Sequence, residues 1–472
     1  MAGQWRCCVI SSMRGGAGKT TVALGLVGAF RRRGVRVAPL KKGPDFIDPS
    51  WLTRAAGRPC RNLDAFLMTP DAIVNGYATE AATADLVVIE GNRGLYDGLS
   101  VEGRSSTAEL AKQLAVPVIL VVDCTKVTRT AAALVLGCQR MDPAVSIGGV
   151  ILNQVAGPRH ESVVRGSIER YCGIPVIGAI PRQADIRLPE RHLGLVPAAE
   201  HDGVGEALAR LFDTIDAYVD LDLVWDIAAT AGPVGDACPP PATTVPGSAV
   251  RIGIVRDAAF HFYYPENLEA LERSGAELVF VDALRDSELP EVDGLYIGGG
   301  FPEVHARSLE RNVSFRESLR AAIERGLPVV AECGGLMYLG ESIECAGRTH
   351  EMVGVFPVAY DIAPQPQGHG YTVLTVDRPN PYFPVDTVLK GHEFRYGRVI
   401  RGDVEQLQTA FRVDRGRGFG EGRDGLVHRN VLASFTHFHA RGTALWAAAI
   451  VERVQASRQA AIQHDPLLPA CG

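Results

Sequence analysis

Ile10-Ser-Ser-Met-Arg-Gly-Gly-Ala-Gly-Lys-Thr-Thr21 follows a short apolar run, residues 7–12, and leads into a helical pattern. This order of strand, glycine loop and helix decides the fold of the first half of the chain. Glycines let successive backbone N–H groups turn toward an anion, and the helix N-terminus adds partial positive charge. Gly15, Gly16 and Gly18 supply that cradle, Lys19 reaches toward β- and γ-phosphates, and the hydroxyl of Thr20, with Thr21 beside it, suits Mg²⁺. Met13 stands where the strict GxxxxGK(S/T) pattern has its first glycine, so the signal is GGxGKT after an apolar strand. Arg14 holds the place where partition-type ATPases with a deviant P-loop carry a lysine that reaches across a dimer, which keeps a homodimer in view.

Outward from this loop, β-branched runs at 35–40, 86–90, 118–123, 147–153 and 175–180 alternate with helical stretches, the pattern of a parallel sheet covered by helices. Residues 231–248 (AGPVGDACPPPATTVPGS) carry no apolar period and have a linker composition. The strand pattern restarts at 251–256, 277–281, 294–297 and 328–332 and then becomes richer in strand and turn. The expectation is an α/β chain: a doubly wound P-loop domain over 1–230, a linker over 231–248, a second α/β domain over 249–455 and a tail over 456–472.

Charged residues gather where these strands end. Lys41-Lys-Gly-Pro-Asp-Phe-Ile-Asp-Pro49 follows the second strand, on the C-terminal edge where parallel sheets bind ligands, and sets Asp45 and Asp48 beside Lys41 and Lys42. Glu90 ends the run Leu86-Val-Val-Ile-Glu90, placed to hold Mg²⁺ or its water opposite Thr20. Gly91-Asn-Arg-Gly-Leu-Tyr-Asp-Gly98 follows and carries Asp97; Asn153 ends another strand, with an amide suited to a nucleotide base. A solvated loop or a plain turn explains any of these singly, but their shared edge favours a ligand.

In the second half, Leu327-Pro-Val-Val-Ala-Glu-Cys-Gly-Gly-Leu-Met-Tyr338 reads as strand, sharp turn and helix, with Cys333 at the turn. Such an elbow exposes the sulfur, and the helix N-terminus favours thiolate. Gly334, with Gly299 and Gly300 in Tyr296-Ile-Gly-Gly-Gly-Phe-Pro-Glu303, offers backbone N–H groups for an oxyanion hole and for the backbone of a glutamine. Leu432-Ala-Ser-Phe-Thr-His-Phe-His439 delivers His437 as the base, with His439 on the same face as a second candidate. No third carboxylate of a triad can be assigned from sequence.

Composition narrows the class. With 46% hydrophobic and 22% charged residues the chain is globular, and no apolar run approaches the ~20 residues of a membrane span. A net charge of −6 argues against nucleic acid as partner, because sequence-independent binding needs a basic footprint. The ten cysteines lack paired CxxC spacing and read as reduced thiols, which with the absence of a secretory pattern points to the cytoplasm. Only six residues are lysine, and three of them (Lys19, Lys41, Lys42) fall in the two N-terminal loops, which marks those loops out.

Gly15–Thr21, KKGPDFIDP, Arg61-Asn-Leu-Asp64, EGNRGLYDG, GGGFPE, AECGGLMYL, Gly391-His-Glu-Phe-Arg-Tyr396 and SFTHFH together resemble, in matching order, the cobyrinate a,c-diamide synthase family. The resemblance implies a dethiobiotin-synthetase-like P-loop domain joined to a class I-like glutamine amidotransferase domain. It further implies that ATP phosphorylates a peripheral acetate of a tetrapyrrole polycarboxylate and that ammonia from glutamine displaces the phosphate, at acetates a and c in turn. Lys19, Thr20 and Lys41 would then serve phosphate, with Thr20, Asp45 and Glu90 on Mg²⁺ and Asp45, Asp48 and Asp97 near substrate. Cys333 would be the nucleophile and His437 its activator. Two places depart from the family pattern: Asn92-Arg93 replaces a hydrophobic pair, and Arg395 replaces a histidine. Arginine suits a carboxylate, so sirohaem or nickel-sirohydrochlorin stands beside cobyrinate or hydrogenobyrinate as substrate. The reading from another class is a partition-type ATPase switch carrying a non-functional glutaminase domain.

Overall fold

Buried β-branched runs build the first sheet. In the computed structural model, which describes residues 5–182, 190–191, 194–195, 203–234, 247, 249–402 and 407–463, seven strands pair in parallel. Their order across the sheet is Arg61–Leu63, Val37–Lys42, Leu86–Glu90, Cys7–Ser12, Val118–Asp123, Ile147–Val155 and Val176–Pro181. Every residue of Cys7–Ser12, Val37–Lys42 and Leu86–Glu90 is buried, as a parallel sheet covered on both faces requires. The loop after the central strand Cys7–Ser12 therefore opens at the carboxyl edge of the sheet, where open α/β sheets take ligands.

The helix Lys19–Arg32 lies against Val204–Tyr218 at backbone distance. Glycine makes that approach feasible: a Cβ on Gly28 would stand 2.0 Å from the Phe212 ring, and one on Gly25 would stand 2.2 Å from Ile215. Val22, Leu26, Phe30, Leu211 and Ile215 complete this part of the core, each buried side chain contributing roughly 1.5–3 kcal/mol.

A second compact unit spans Pro241–Gly472, the first being Met1–Pro240. Its ten-stranded sheet is parallel through Ala276–Val281, Val250–Val255, Gly294–Ile297, Val329–Glu332 and Val431–Ser434. It turns antiparallel through Arg423–His428, Thr409–Arg415, Gly368–Val376, Val388–Arg395 and His437–Phe438. One core holds Phe315, Leu319 and Ile323 of the helix Val313–Glu324; the other holds Trp446, Ile450 and Val454 of the helix Trp446–Gln463.

Two expectations need adjustment. The tail expected over 456–472 is helical as far as Gln463, because Val451 and Val454 seat that helix in the core; residues 464–472 lie outside the described residues. Most of the expected linker, 235–246 and 248, also lies outside them, while Ala231 and Val234 are buried and the Gly232 N–H donates to the Ala115 carbonyl at 2.7 Å. Among the described residues no helix is long and apolar enough to cross a membrane.

Gly28→Ala is expected to lower the stability of the first unit by about 1–3 kcal/mol, the usual cost of overpacking. Denaturant midpoints check this; an unchanged midpoint would contradict the backbone contact described.

Candidate functional sites

The P-loop is shaped by two left-handed glycines. Gly16 has φ +72° and Gly18 φ +95°, and Gly18 caps the helix that begins at Lys19. A Cβ on Gly18 would lie 2.2 Å from Nδ2 of Asn153, so glycine is required there for close approach as well as for conformation. Asn153 donates from Nδ2 to the Ala17 carbonyl at 3.0 Å; the amide that the sequence assigned to a nucleotide base here braces the loop. Gly15 has open space where its Cβ would be, and Thr21 follows Lys19 and Thr20 in the first helical turn. Arg14 pairs with Asp123 at 2.6 Å within its own chain.

Lys41 organises the acidic groups at this edge. Its buried ammonium lies 2.5 Å from Asp48, 3.1 Å from Glu90 and 3.7 Å from Asp45. Burial disfavours the charge, but Asp48, Glu90 and Asp45 overcome it and hold Lys41 protonated well above the ordinary range. Burial raises Glu90, opposed by Lys41. Burial also works against charge on Asp48, yet Lys41 brings it below its ordinary value; burial and then Asp48 push Asp45 up. An uncompensated carboxylate here would cost several kcal/mol, so Lys41 is what makes a buried Glu90 tolerable. Burial lowers Lys19, with Glu90 opposing.

Thr20 donates its hydroxyl to Oε1 of Glu90 at 2.5 Å, while Oε2 is buried without a hydrogen-bond partner. Asp45 turns instead to Lys41 and to the Ile47 N–H at 2.9 Å. Among the described residues no three acidic, histidine or cysteine side chains converge on a metal position; of the expected set Thr20, Asp45 and Glu90, Thr20 and Glu90 are joined directly, and Asp45 and Glu90 both lie against the Lys41 ammonium. Asp97, exposed on its loop, accepts from the Gly94 N–H at 2.7 Å and acts electrostatically on Lys19.

In the second unit Cys333 joins the strand Val329–Glu332 to the helix Gly334–Leu339 with φ +48° and ψ −102°. A non-glycine residue held there costs on the order of 1–3 kcal/mol, strain of the kind found at functional turns. A Cβ on Gly299 would stand 2.4 Å from Cε1 of His437, and one on Gly334 would stand 3.1 Å from the Gly300 nitrogen. Gly299, Gly300, Gly334, Cys333 and His437 thus form one cluster.

His437 is buried, close enough to Cys333 for the thiol to act on its pKa, and stacked on Phe262 at 4.2 Å and on His392 at 4.9 Å. Asn267 fixes its strand from below, donating to the Phe438 carbonyl at 2.9 Å and accepting from the Ala440 N–H at 2.7 Å. Burial alone would lower its pKa; Cys333 and then Glu332 outweigh burial and push His437 up to about 9. His439 points elsewhere, with Nε2 3.9 Å from Glu266 and Nδ1 accepting from the Arg441 N–H at 3.1 Å. Of the two histidines, His437 is the one at the thiol.

Glu332 was missed in the sequence. Its buried Oε2 lies 3.5 Å from Nδ1 of His437, an ion-pair distance without hydrogen-bond geometry, and accepts from the Tyr296 hydroxyl at 3.1 Å. Its place immediately before the nucleophile was visible, but nothing local said that His437 would arrive beside it.

Residues 8–196 match the CobQ/CobB/MinD/ParA nucleotide binding domain, and residues 251–444 match the CobB/CobQ-like glutamine amidotransferase domain. A cobyrinate a,c-diamide synthase of Magnetococcus marinus is 45% identical over 443 residues, covering 93% of this chain and 95% of that protein. Those of Archaeoglobus fulgidus and Listeria monocytogenes are each 41% identical, covering 91% of this chain and 93% and 95% of theirs. The chain belongs to the cobyrinate a,c-diamide synthase family.

Within that family frame one expected substrate contact fails. Arg395 is buried: it donates to the Gly397 carbonyl, to the Gly418 carbonyl at 2.6 Å and to Glu393 at 3.3 Å, and its guanidinium lies 3.7 Å from the Phe435 ring centre. It holds the Gly416–Gly418 turn, and its Nε, Nη1 and Nη2 are each committed to an acceptor within the chain. Asn92 packs against the 41–49 loop, and Arg93 is exposed with φ +53°.

Glu332→Gln is expected to lower glutamine hydrolysis by about ten- to a hundredfold, a fraction of what a general base contributes, and to lower the His437 pKa measured by NMR. Full activity with an unchanged pKa would contradict the pairing. The raised pKa also sets a stability slope. His437 contributes fully below its ordinary value of 6.5 and loses that contribution as pH rises through about 9. Denaturant midpoints of wild type should fall more steeply across this window than those of Cys333→Ala; parallel curves would contradict the thiolate–imidazolium pair.

Proposed function

We propose that the chain amidates the a and c acetates of cobyrinate, using ATP and ammonia released from glutamine at Cys333. The observation that carries this reading is the presence of both half-sites on one chain of the family, a thiol–imidazole elbow and a Lys19–Thr20–Glu90 phosphate edge.

The Cys333 thiolate attacks the glutamine amide carbon while backbone N–H groups near Gly300 and Gly334 receive the developing oxyanion. His437 gives its proton to the departing ammonia, and water then cleaves the thioester to release glutamate. In the first unit the glycine loop and Lys19 hold the phosphates of ATP while a substrate acetate attacks the terminal phosphorus and ADP leaves. Ammonia displaces phosphate from the acyl phosphate, giving the amide. Thr20 and Glu90 fit Mg²⁺, since both offer hard oxygen and Oε2 of Glu90 is a buried acceptor left open. When bound there, Mg²⁺ would offset charge on the transferring phosphoryl group. Lys41 holds Asp48, Glu90 and Asp45 together at this edge and favours the charged form of Asp48. A partition-type switch with a decayed glutaminase is disfavoured by Arg14 being paired with Asp123 and by the assembled Cys333–His437 pair.

Cys333→Ala should abolish glutamine-dependent amidation and retain turnover with ammonium salt, whereas Lys19→Ala should abolish both. Loss of both activities in folded Cys333→Ala, or undiminished turnover in Lys19→Ala, would contradict the division. Mass analysis after incubation with cobyrinic acid or sirohaem, ATP, Mg²⁺ and glutamine names the ring. The expected result is a cobyrinic acid diamide; amidation of sirohaem alone would replace the substrate assignment, and no product from either would overturn it.

A further inference from the structure

Lys42 has no role in this chemistry. It ends the strand Val37–Lys42 next to Lys41, and successive strand residues face opposite sides of the sheet. Lys41 consequently meets three carboxylates, whereas the side chain of Lys42 makes no hydrogen bond or ion pair among the described residues although the residue is only 6% exposed. The nearest acidic groups act on it electrostatically without pairing with it: Asp64 accepts from the Phe66 and Leu67 N–H groups at 2.8 and 3.0 Å, and Asp97 from that of Gly94. Burial lowers the pKa of Lys42; Asp64 opposes this, Lys41 and Arg93 lower it further, and Asp97 opposes them in turn.

Arg93 is the second cation. Its loop is tied to the P-loop strand by the Leu95 N–H, which donates to the Ser12 carbonyl at 2.7 Å, and a Cβ on Gly43 would meet Asn92 at 2.9 Å. These contacts set the 41–49 and 91–98 loops against each other. Arg93 sits at φ +53°, a conformation uncommon for a long side chain, and its guanidinium makes no ion pair among the described residues. Two like charges face each other here, one of them buried and offset only by carboxylates that it does not pair with directly, an arrangement that an incoming anion would stabilise.

We propose that Lys42 and Arg93 form an anion subsite that holds a carboxylate of the substrate, one not being amidated, so that a neighbouring acetate faces the P-loop. This rests on the reading that the substrate is an acid-rich tetrapyrrole. The other anion at this edge is the phosphate chain of ATP. Leu86–Glu90 lies between Val37–Lys42 and the P-loop strand, which sets the Lys42 backbone two strand spacings, roughly 10 Å, from that strand. The Arg93 loop, by contrast, abuts the P-loop, with a Cβ on Gly94 falling 2.7 Å from the Met13 carbonyl. Separate binding of the two anions therefore decides between them.

The test compares Lys42→Met, Lys42→Arg and Arg93→Met with wild type by equilibrium binding of cobyrinic acid and, separately, of ATP with Mg²⁺. Lys42→Met and Arg93→Met should each weaken cobyrinic acid by about tenfold or more, the loss expected for one charge-assisted contact, while ATP affinity stays within about twofold. Lys42→Arg should restore much of the affinity, which separates charge from folding. Unchanged cobyrinic acid binding in both methionine variants, or loss of ATP affinity instead, would overturn the subsite while leaving the proposed reaction intact. If wild type binds sirohaem and not cobyrinic acid, the substrate assignment fails and the same comparison with sirohaem decides the subsite. Wild type that binds neither tetrapyrrole would overturn both.

Discussion

Ionised groups buried at the carboxyl ends of parallel strands are the constraint around which both units are arranged. A carboxylate there lacks water, so the surrounding chain must supply cations or donors. Glu90 has Thr20 and Lys41; Glu332 has Tyr296 and the imidazole of His437. Each carboxylate then fixes a reactive neighbour. Glu90 positions the P-loop threonine and Glu332 faces the base beside the thiol. Without these partners the strands would still form, since their apolar residues are buried regardless, but the edge of each sheet would carry uncompensated charge.

The two half-sites use opposite electrostatics for the tasks proposed. Beside Cys333 the environment favours the protonated form of His437, which keeps a proton ready for the leaving ammonia. At the P-loop edge positive charge is deployed against phosphate and acid, with Lys19 beneath the loop and Lys41 neutralising the carboxylates around it. Lys42 and Arg93 extend that positive edge along the 41–49 and 91–98 loops. The resulting gradation suits a reaction in which a polyanion must present one carboxylate to ATP.

Local signals were legible in the sequence, and contacts between distant segments were not. The P-loop and the cysteine elbow could be read because backbone conformation, glycine and nucleophile are contiguous there. The parallel strands could be read from buried β-branched runs, although Arg61–Leu63 was too short to show a period. Glu332 escaped because its meaning depends on a strand that arrives from residue 437. Arg395 was misread for the converse reason: its chemistry suits a substrate carboxylate, but its burial against Phe435 and the Gly418 carbonyl appears only in three dimensions. The choice between His437 and His439 likewise needed Glu266 to be placed. The alanine-rich end of the last helix lacked a strong apolar stripe and therefore read as tail.

The most direct test of the account follows nitrogen and phosphate together. Wild-type protein is given glutamine labelled with nitrogen-15 at the amide, ATP, Mg²⁺ and cobyrinic acid, and labelled amide, glutamate and ADP are quantified against time. The account predicts that the three rise in equal amounts and that labelled amide is absent when ATP is withheld. Amide formed without ADP, or labelled product at undiminished rate from Cys333→Ala, would contradict it.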